Sequence, residues 1–342
     1  MRALFTGVSS FTGAWFARAL AAAGFAVVGL HRRALDAYAL PERRRLALVA
    51  GSTRLAHTPS LADPAVARRL AAERAQLLCL HGAEVGDHRA ARFDVAGVLE
   101  RTCAGLGELL DRFARSGGRA VLVTGSIFEA DEGRGSAPLR AFNRYGLAKT
   151  LIWQTIRFEV ERRGLALGKF VIAHPVGPLD KPTGLVPDLL AAWRRGEPAF
   201  LRRPHLIRDF LPVDGLALAY AAAARRLLEE ERPIHLVPSF WPERVADFAR
   251  RLAAALAPRL GLACAILEAD PPEPSEEPVA RVGLHHLDFL APAWDPERFW
   301  DGIAAEVRGS PEAGFTPNVT QFQVENGGCF ASILVGGPRS RT

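Results

Sequence analysis

The chain has 342 residues, of which 49% are hydrophobic and 23% are charged, and its formal net charge at pH 7 is +6. This composition is that of a folded globular protein with a sizeable core, so it excludes a short peptide and a largely disordered chain. Most of the positive charge is arginine, which indicates either anionic ligands or a compositional bias toward Arg and Ala. No basic stretch is interleaved with aromatic residues, so no nucleic-acid partner is predicted.

The four cysteines are scattered, with neither the paired spacing of a zinc site nor the density of a disulfide scaffold. We therefore expect a reducing compartment and no metal. The N-terminus leads directly into an apolar run, without the charged leader and apolar core of a signal peptide. The longest apolar stretches are interrupted too early to span a bilayer, which predicts a cytoplasmic protein without membrane contact.

From residue 1 to about residue 175, short apolar runs alternate with helical patterns. This alternation predicts an α/β fold, a doubly wound Rossmann-type parallel sheet with helices on both faces. The first unit is a strand at 3–6, a helix at 12–23 and a strand at 25–30. Further strands are predicted at 46–49, 77–81, 120–124 and 169–173, and helices at 64–73, 96–116 and 145–163.

After Pro175, loops rich in Pro and Gly surround a predicted helix at 187–195, which indicates a smaller C-terminal substrate lobe over the carboxyl edge of the sheet. A helix at 214–229 and a strand at 235–237 are expected to return to the sheet, and helices at 243–256 and 296–307 to build the lobe. The expected domains are therefore 1–175 with 209–238 returning to it, a lobe from 176–208 and 239–310, and a tail at 311–342. Glu325-Asn326-Gly327-Gly328 predicts a β-hairpin in that tail.

A turn of small residues joins the first predicted strand to the first predicted helix. It reads Thr6-Gly7-Val8-Ser9-Ser10-Phe11-Thr12-Gly13. In such a turn, backbone N–H groups and the helix N-terminus can meet a pyrophosphate, although an ordinary strand-to-helix loop is the alternative for the turn taken alone.

Tyr145 and Lys149 stand four residues apart at the start of a predicted helix, so both side chains lie on one face. A nearby ammonium favours the phenolate and is expected to move the pKa of Tyr145 from about 10 toward the range useful for proton transfer. Such pairs also arise by chance, but here a buried strand ending in Thr124-Gly125-Ser126 supplies hydroxyl groups shortly before the tyrosine.

Together these patterns resemble the extended short-chain dehydrogenase/reductases, which include nucleotide-sugar epimerases, dehydratases and 4-keto reductases. Gly7 and Gly13 match the first and last glycines of that family's Thr-Gly-x-x-Gly-x-x-Gly turn, and Ser10 replaces the middle glycine. The resemblance covers residues 1–310. It implies an NAD(P)-dependent enzyme, a nucleotide-sugar substrate, and a homodimer built by the helices predicted at 96–116 and 145–163.

The resemblance also implies a set of cofactor-binding residues. They are Gly7, Ser9, Ser10, Phe11, Gly13, His31, Arg32, Arg33, His81, Gly82, Ala83, Thr124, Tyr145 and Lys149. At the end of the second strand an NAD enzyme would carry a carboxylate for the ribose 2′-hydroxyl, whereas Arg32 and Arg33 suit a 2′-phosphate. We therefore expect NADP(H) rather than NAD(H), with a solvated arginine pair as the alternative.

Ser126, Tyr145 and Lys149 match the family's catalytic triad, which implies that Tyr145 exchanges the proton, Lys149 tunes it and Ser126 orients the substrate oxygen. Thr124 is the rival for the hydroxyl role. His174 stands where the family has an asparagine that contacts substrate phosphates, although backbone atoms are an equally good partner for a histidine there.

The segment Arg208-Asp209-Phe210-Leu211-Pro212-Val213-Asp214 matches a family motif whose arginine grips the substrate diphosphate. This implies that Arg208 binds substrate, whereas Asp209 and Asp214 are expected to be structural. Arg202 and Arg203 either flank the nucleotide or belong to a solvated loop.

Dehydratases of this group carry an Asp-Glu pair directly after the catalytic hydroxyl, but two apolar residues follow Ser126, and Glu129, Asp131 and Glu132 lie in a different register. We therefore expect an NADPH-dependent reductase of a nucleotide-linked 4-keto-6-deoxy sugar. The alternatives are a nucleotide-sugar 4-epimerase with tightly bound NAD(P), and a non-catalytic NADP-binding sensor or scaffold.

Overall fold

A seven-stranded parallel sheet forms the centre of the computed structural model, which describes residues 1–82, 93–287 and 294–309. Its strands are β1 (Arg2–Thr6), β2 (Ala26–His31), β3 (Arg54–His57), β4 (Leu77–Leu80), β5 (Ala120–Ser126), β7 (Ala166–Ile172) and β11 (Ile234–Leu236). The order across the sheet is β11-β7-β5-β4-β1-β2-β3. Strands β1 to β3 are added toward one edge and β4 onward toward the other, so the order of addition reverses between β1 and β4. Ligands bind at such a switch point, and the predicted doubly wound α/β fold is confirmed.

Helices cover both faces of this sheet. On one face lie α1 (Phe11–Ala22), α2 (Leu40–Ala50) and α8 (Val213–Glu230), and on the other α3 (Pro64–Glu73), α4 (Val95–Cys103), α5 (Leu106–Arg115) and α6 (Arg144–Glu161). Phe16 of α1 stacks on Tyr220 of α8 with ring centres 4.3 Å apart, and both are fully buried. Each large apolar side chain buried in this way stabilises the fold by about 1.5–3 kcal/mol.

A second core lies beyond the carboxyl edge of the sheet. It involves α7 (Leu185–Arg194), α9 (Val245–Leu260), α10 (Pro296–Arg308), β8 (His174–Val176), β9 (Ala199–Leu201), β10 (Ile207–Pro212) and β13 (Trp241–Arg244). The remaining short strands are β6 (Arg134–Gly135), β12 (Pro238–Ser239), β14 (Ile266–Glu268), β15 (Ala280–Val282) and β16 (His285–His286). Aromatic stacking holds this core together, since the rings of Phe210 and Phe248 are 3.7 Å apart.

The strand predicted at residues 46–49 is wrong, because this segment lies in α2 and the third strand is β3. The buried residues of α2 are Arg45, Leu46 and Val49, which form one helical face. Arg45 is buried because its Nε donates to the carbonyl oxygen of Leu179 at 2.8 Å. Because Arg45 is polar, the apolar pattern of the inner face begins only at residue 46, and the remaining apolar run at 46–49 resembles a strand.

The helix predicted at 96–116 is two helices, α4 and α5, because Gly105 interrupts it. This glycine has φ +70°, and a Cβ there would lie 2.6 Å from the Cα of Ala62. The chain therefore turns in the left-handed region beside another backbone segment, which only glycine permits without strain.

Two sequence predictions lie outside the described residues, namely the role of Ala83 and the hairpin in the tail at 311–342. Within the described ranges, no helix combines the length and the apolar character needed to cross a bilayer.

Candidate functional site

The turn between β1 and α1 passes directly beside the end of β4. Gly7 has φ +75°, and a Cβ there would lie 2.8 Å from the Cα of Gly82. A Cβ on Gly13 would lie 2.2 Å from the carbonyl oxygen of Gly7. Both positions therefore require glycine, and the backbone forms a cradle at the N-terminus of α1. Such a cradle fits a pyrophosphate, because the first N–H groups of a helix have no intrahelical partner.

Ser10, which replaces the middle glycine, directs its side chain into the turn. Its Oγ accepts the N–H of Gly13 at 3.1 Å and donates to the carbonyl oxygen of Gly7 at 2.9 Å, so it caps α1. Ser9 lies in the same turn, and Phe11 is the first residue of α1. The substitution is thus accommodated by a cap.

His81 links the turn between β1 and α1 to β5, a contact that the sequence motifs do not reveal. Its Nε2 lies 3.1 Å from the hydroxyls of Ser10 and Thr12, and its Nδ1 lies 2.9 Å from Thr124 Oγ1. Burial, with a smaller contribution from the Lys149 ammonium, lowers the pKa of His81 to about 3. The ring is therefore neutral, and it connects three adjacent strand ends. The one available signal was a polar residue at the end of each of those strands.

The arginine pair expected to bind a 2′-phosphate follows the end of β2. His31 is buried, whereas Arg32 and Arg33 are exposed. Their backbone N–H groups both donate to Tyr38 Oη, at 3.0 and 3.2 Å, and the Arg33 guanidinium lies 5.2 Å from the centre of the Tyr38 ring. Tyr38 therefore fixes the backbone of this loop while the two arginines remain at the surface.

The triad residues come together where α6 begins beside the end of β5. Asn143 caps α6 by accepting the Gly146 N–H at 2.7 Å, which places Tyr145 in the first turn. The Tyr145 phenol is hydrogen-bonded to the Ser126 side chain. Lys149, one turn later, is buried and donates to the carbonyl oxygen of Thr124 at 2.7 Å.

The geometry distinguishes the two candidate hydroxyls. Thr124 Oγ1 lies against His81, whereas the Ser126 side chain lies against Tyr145. The structure thus brings Ser126, Tyr145 and Lys149 into one cluster, and Thr124 lies on the side of it that faces His81.

The pKa of Tyr145 does not move toward neutral pH in this structure, in contrast to the expectation from the sequence. Burial raises the pKa of Tyr145 to about 12, against a lowering by the Ser126 hydrogen bond, and the Glu129 charge raises it further. Burial also lowers the pKa of Lys149. The expected drop in the tyrosine pKa is absent here because burial, which disfavours the phenolate, dominates. At neutral pH the phenol therefore carries its proton.

A pocket opens between the ends of β4 and β5 and the helices α4 to α6. His81, Gly82, Thr102, Lys149 and Ile152 are among its lining residues. Some residues expected to contact the cofactor thus line one small cavity with an apolar wall, which has room for about one water molecule.

Arg208, which the sequence predicts to bind a diphosphate, already has partners within the chain. It is only 4% exposed. Its Nη2 lies 2.8 Å from Glu277 Oε2, and its Nη1 donates to the carbonyl oxygens of Ile207, Pro278 and Val279. The guanidinium is occupied because a loop remote in sequence brings the Glu277 carboxylate into contact with it.

The two other arginines face the same loop. Arg203 Nη1 lies 2.9 Å from Ser275 Oγ, and Arg202 Nε lies 3.9 Å from a Glu273 oxygen. Both are substantially exposed, so the solvated-loop interpretation fits them.

His174 begins β8 and lies between the rings of Phe128 and Phe210, at 5.7 and 6.0 Å. Its Nδ1 is buried without a hydrogen-bond partner among the described residues, so backbone atoms do not satisfy it there. Burial first, then the charges of Arg208 and Lys181, lowers the pKa of His174 to about 3. It is a neutral ring with one unsatisfied nitrogen.

The two aspartates of the arginine motif join neighbouring segments, as expected. Asp209 accepts the N–H groups of Phe240 and Gly283 at 2.8 and 2.9 Å. Asp214 accepts the Trp294 indole N–H at 3.0 Å, and burial raises its pKa to about 6.

Comparison with known proteins places these features in a family. A model of the NAD dependent epimerase/dehydratase family matches residues 3–237. No curated protein sequence matches the chain. The resemblance to extended short-chain dehydrogenase/reductases is thereby confirmed.

Solved structures share the fold over most of the chain. A UDP-glucose 4-epimerase from Thermus thermophilus in complex with NAD is 20% identical, with a TM-score of 0.67, covering 91% of this chain and 100% of its own. A UDP-glucuronic acid 4-epimerase from Bacillus cereus with UDP-glucuronic acid and NAD is 12% identical, with a TM-score of 0.66 and coverages of 90% and 99%. A dTDP-glucose 4,6-dehydratase from Streptomyces venezuelae with NAD is 20% identical, with a TM-score of 0.65 and coverages of 90% and 96%.

Proposed function

The chain belongs to the NAD-dependent epimerase/dehydratase family, and on that premise we propose that it is an NADPH-dependent reductase of a nucleotide-linked 4-keto-6-deoxy sugar. The observation that carries this proposal is the state of Tyr145. Its phenol is hydrogen-bonded to Ser126, and with a pKa of about 12 it holds a proton at neutral pH. Reduction of a ketone requires such a proton donor.

In the proposed reaction, each triad residue has one task. When bound, the nicotinamide cofactor supplies the hydride that reduces the ketone carbon. Ser126 Oγ donates a hydrogen bond to the ketone oxygen, and Tyr145 Oη transfers its proton to that oxygen as negative charge develops there. Lys149 stabilises the resulting phenolate by its charge, and the tyrosine then regains a proton from solvent.

The preference for NADPH is supported by the end of β2. His31, Arg32 and Arg33 offer no carboxylate to a ribose 2′-hydroxyl, and the exposed guanidinium groups suit a 2′-phosphate. The glycine cradle at Gly7 and Gly13 would hold the pyrophosphate.

A nucleotide-sugar 4-epimerase is the second candidate, because two of the solved neighbours described above are 4-epimerases with NAD. A dehydratase is disfavoured by the carboxylates near Ser126. Glu129 and Glu132 both pair with the buried ammonium of Lys169, at 2.6 and 2.5 Å, so they are not available as an acid and base for elimination.

Substrate binding by Arg208 and His174 is part of the proposal, with Glu277 displaced from the arginine when an anionic substrate binds. A homodimer is also proposed, since α6 exposes Leu147, Leu151 and Phe158 in one stripe. Sedimentation velocity tests the dimer, and a monomer at all concentrations would contradict it. The cytoplasmic location expected from the sequence belongs to the same proposal, because a consumed reductant must be regenerated where the enzyme works.

Anaerobic native mass spectrometry of the purified protein, followed by mild denaturation, tests the proposed function. We expect no tightly held nucleotide, uptake of NADPH on addition, and weaker uptake of NADH. Tightly held NAD would contradict the reductase and favour the epimerase.

A further inference from the structure

Lys169 lies on β7 in the interior, where a lysine is rarely found. Its Nζ lies 2.6 Å from Glu129 Oε2 and 2.5 Å from Glu132 Oε1, and all three residues are at most 3% exposed. Glu132 also accepts His235 Nε2 at 2.9 Å. Because buried ion pairs are often no more stabilising than apolar residues of similar volume, stability alone does not explain this cluster.

Glu129 connects the cluster to the catalytic strand. Its second oxygen, Oε1, accepts the backbone N–H of Ser126 at 2.7 Å. The Ser126 side chain is in turn hydrogen-bonded to the Tyr145 phenol. Glu129 therefore bridges the Lys169 ammonium and the residue that orients the proton donor, with one carboxylate oxygen for each.

Lys169 also contacts the helix that carries the catalytic tyrosine. Its ammonium lies 4.5 Å from the centre of the Trp153 ring, one turn after Lys149 on α6. A Cβ on Gly125 would lie 2.7 Å from Lys169 Cε, so the glycine beside Ser126 allows the lysine stem to pass. The cluster thus joins the end of β5 to α6, the two elements whose relative position sets the Ser126–Tyr145 contact.

On the basis of the reductase chemistry proposed above, we propose that Glu129 is a positioning residue: it fixes the Ser126 backbone so that the serine hydroxyl stays against Tyr145, and Lys169 holds Glu129 in place. Glu129 does not touch the substrate in this scheme. Its positioning effect passes through Ser126, and its charge separately raises the pKa of Tyr145.

Glu132 provides a matched control, because it is similarly buried and pairs with the same ammonium, but its other oxygen faces His235 rather than Ser126. In Glu129→Gln the side chain has only one acceptor oxygen. The charge-assisted bond to Lys169 is the stronger of the two, so the Ser126 N–H loses its acceptor. Glu132→Gln removes an equal charge without touching Ser126.

Steady-state kinetics separates a positioning role from a structural one. We expect Glu129→Gln to lower kcat by about tenfold or more, with the NADPH Kd and the substrate KM within about twofold of wild type. Glu132→Gln should stay within about threefold in kcat. Equal losses in the two variants would overturn the proposal.

A double-mutant cycle tests the route through Ser126. In a Ser126→Ala background, Glu129→Gln should lower kcat by less than about twofold, because the hydroxyl that it positions is absent. Additive losses would show that Glu129 acts by another route. Restored turnover in Glu129→Gln/Lys169→Met, which returns the amide oxygen to Ser126, would be the expected rescue, and absence of rescue would contradict the proposal.

Amide hydrogen exchange of Ser126, measured by NMR on the protein without substrate, needs no turnover. We expect protection of this amide to fall in Glu129→Gln and to persist in Glu132→Gln. If the amide protection changes as expected but the wild-type protein reduces no ketone, the proposed function is rejected while the contact between Glu129 and Ser126 is supported. Unchanged protection in an active, Tyr145-dependent enzyme would reject the positioning role alone.

Discussion

The end of the candidate site proposed to bind the cofactor and the end proposed to bind the substrate are built in different ways. At the cofactor end, Gly7, Ser10 and Gly13 are held by one another within a single turn. At the substrate end, Arg208 meets Glu277, which lies 69 residues further along the chain. A site fixed by neighbours in sequence keeps the geometry that its motif predicts, whereas a charged side chain takes whatever partner the fold brings to it.

The largest effect on turnover is expected from Tyr145→Phe. Loss of the proton donor should lower kcat by about 10²–10⁴-fold, because the alkoxide formed on reduction is no longer protonated within the site. The NADPH Kd and the thermal midpoint should stay close to wild type, since the ring remains. Turnover within about twofold of wild type would remove Tyr145 from the mechanism.

Asp214, at the substrate end, gives a pH-dependent stability difference. Burial raises its pKa from 3.8 to about 6, so ionisation costs the native state more than the unfolded state. Below a pH of about 4 the carboxyl is protonated in both states and contributes no penalty. As pH rises to about 6 the native state loses about 3 kcal/mol of stability from this group, and the loss is constant above that.

Asp214→Asn should abolish this dependence while keeping an acceptor for the Trp294 indole. Denaturant unfolding of wild type and Asp214→Asn between a pH of about 4 and a pH of about 6 measures this difference in stability. The variant should gain stability relative to wild type as pH rises. A pH-independent difference between the two proteins would show that Asp214 is not the titrating group.

The arginine pair sharpens the comparison by testing cofactor choice. Arg32→Ala/Arg33→Ala should weaken NADPH binding by about tenfold or more and leave NADH binding nearly unchanged, because only NADPH carries the 2′-phosphate. Arg43→Ala, an exposed arginine on α2, is the matched control for loss of surface charge. Equal weakening of both cofactors would indicate a general electrostatic effect instead.

The smallest effect concerns Glu277, whose half-exposed carboxylate occupies Arg208. Glu277→Gln should tighten binding of a nucleoside diphosphate by about threefold, since the carboxylate that competes for the Arg208 guanidinium loses its charge. Glu276→Gln, an exposed neighbour in the same loop, should have no effect. Titration calorimetry measures both, and weaker binding in Glu277→Gln would mean that this carboxylate assists the anion.

The sequence predicted the central sheet well because its strands are short apolar runs between turn signals, as at 77–81 and 120–124. It misplaced the third strand because the buried Arg45 interrupts the apolar face of α2. It joined α4 to α5 because a single glycine at 105 does not reveal that the backbone must turn beside Ala62.

For the candidate site, the order of Ser126, Tyr145 and Lys149 predicted which residues meet, because one strand and one helix carry all three. It did not predict how burial would raise the pKa of Tyr145, nor that His81 bridges Ser10 and Thr124. Those properties depend on packing between strands that are distant in sequence. The Lys169 cluster was hidden for the same reason, since its side chains come from β7, from the loop after β5 and from β11.

The most direct test of the reductase is the stoichiometry of turnover. Purified protein is incubated anaerobically with NADPH and a nucleotide-linked 4-keto-6-deoxy sugar, while loss of NADPH and formation of the sugar alcohol are measured together. One NADPH consumed for each alcohol formed is the predicted result. Interconversion of sugar nucleotides by the same preparation without net NADPH consumption would contradict it.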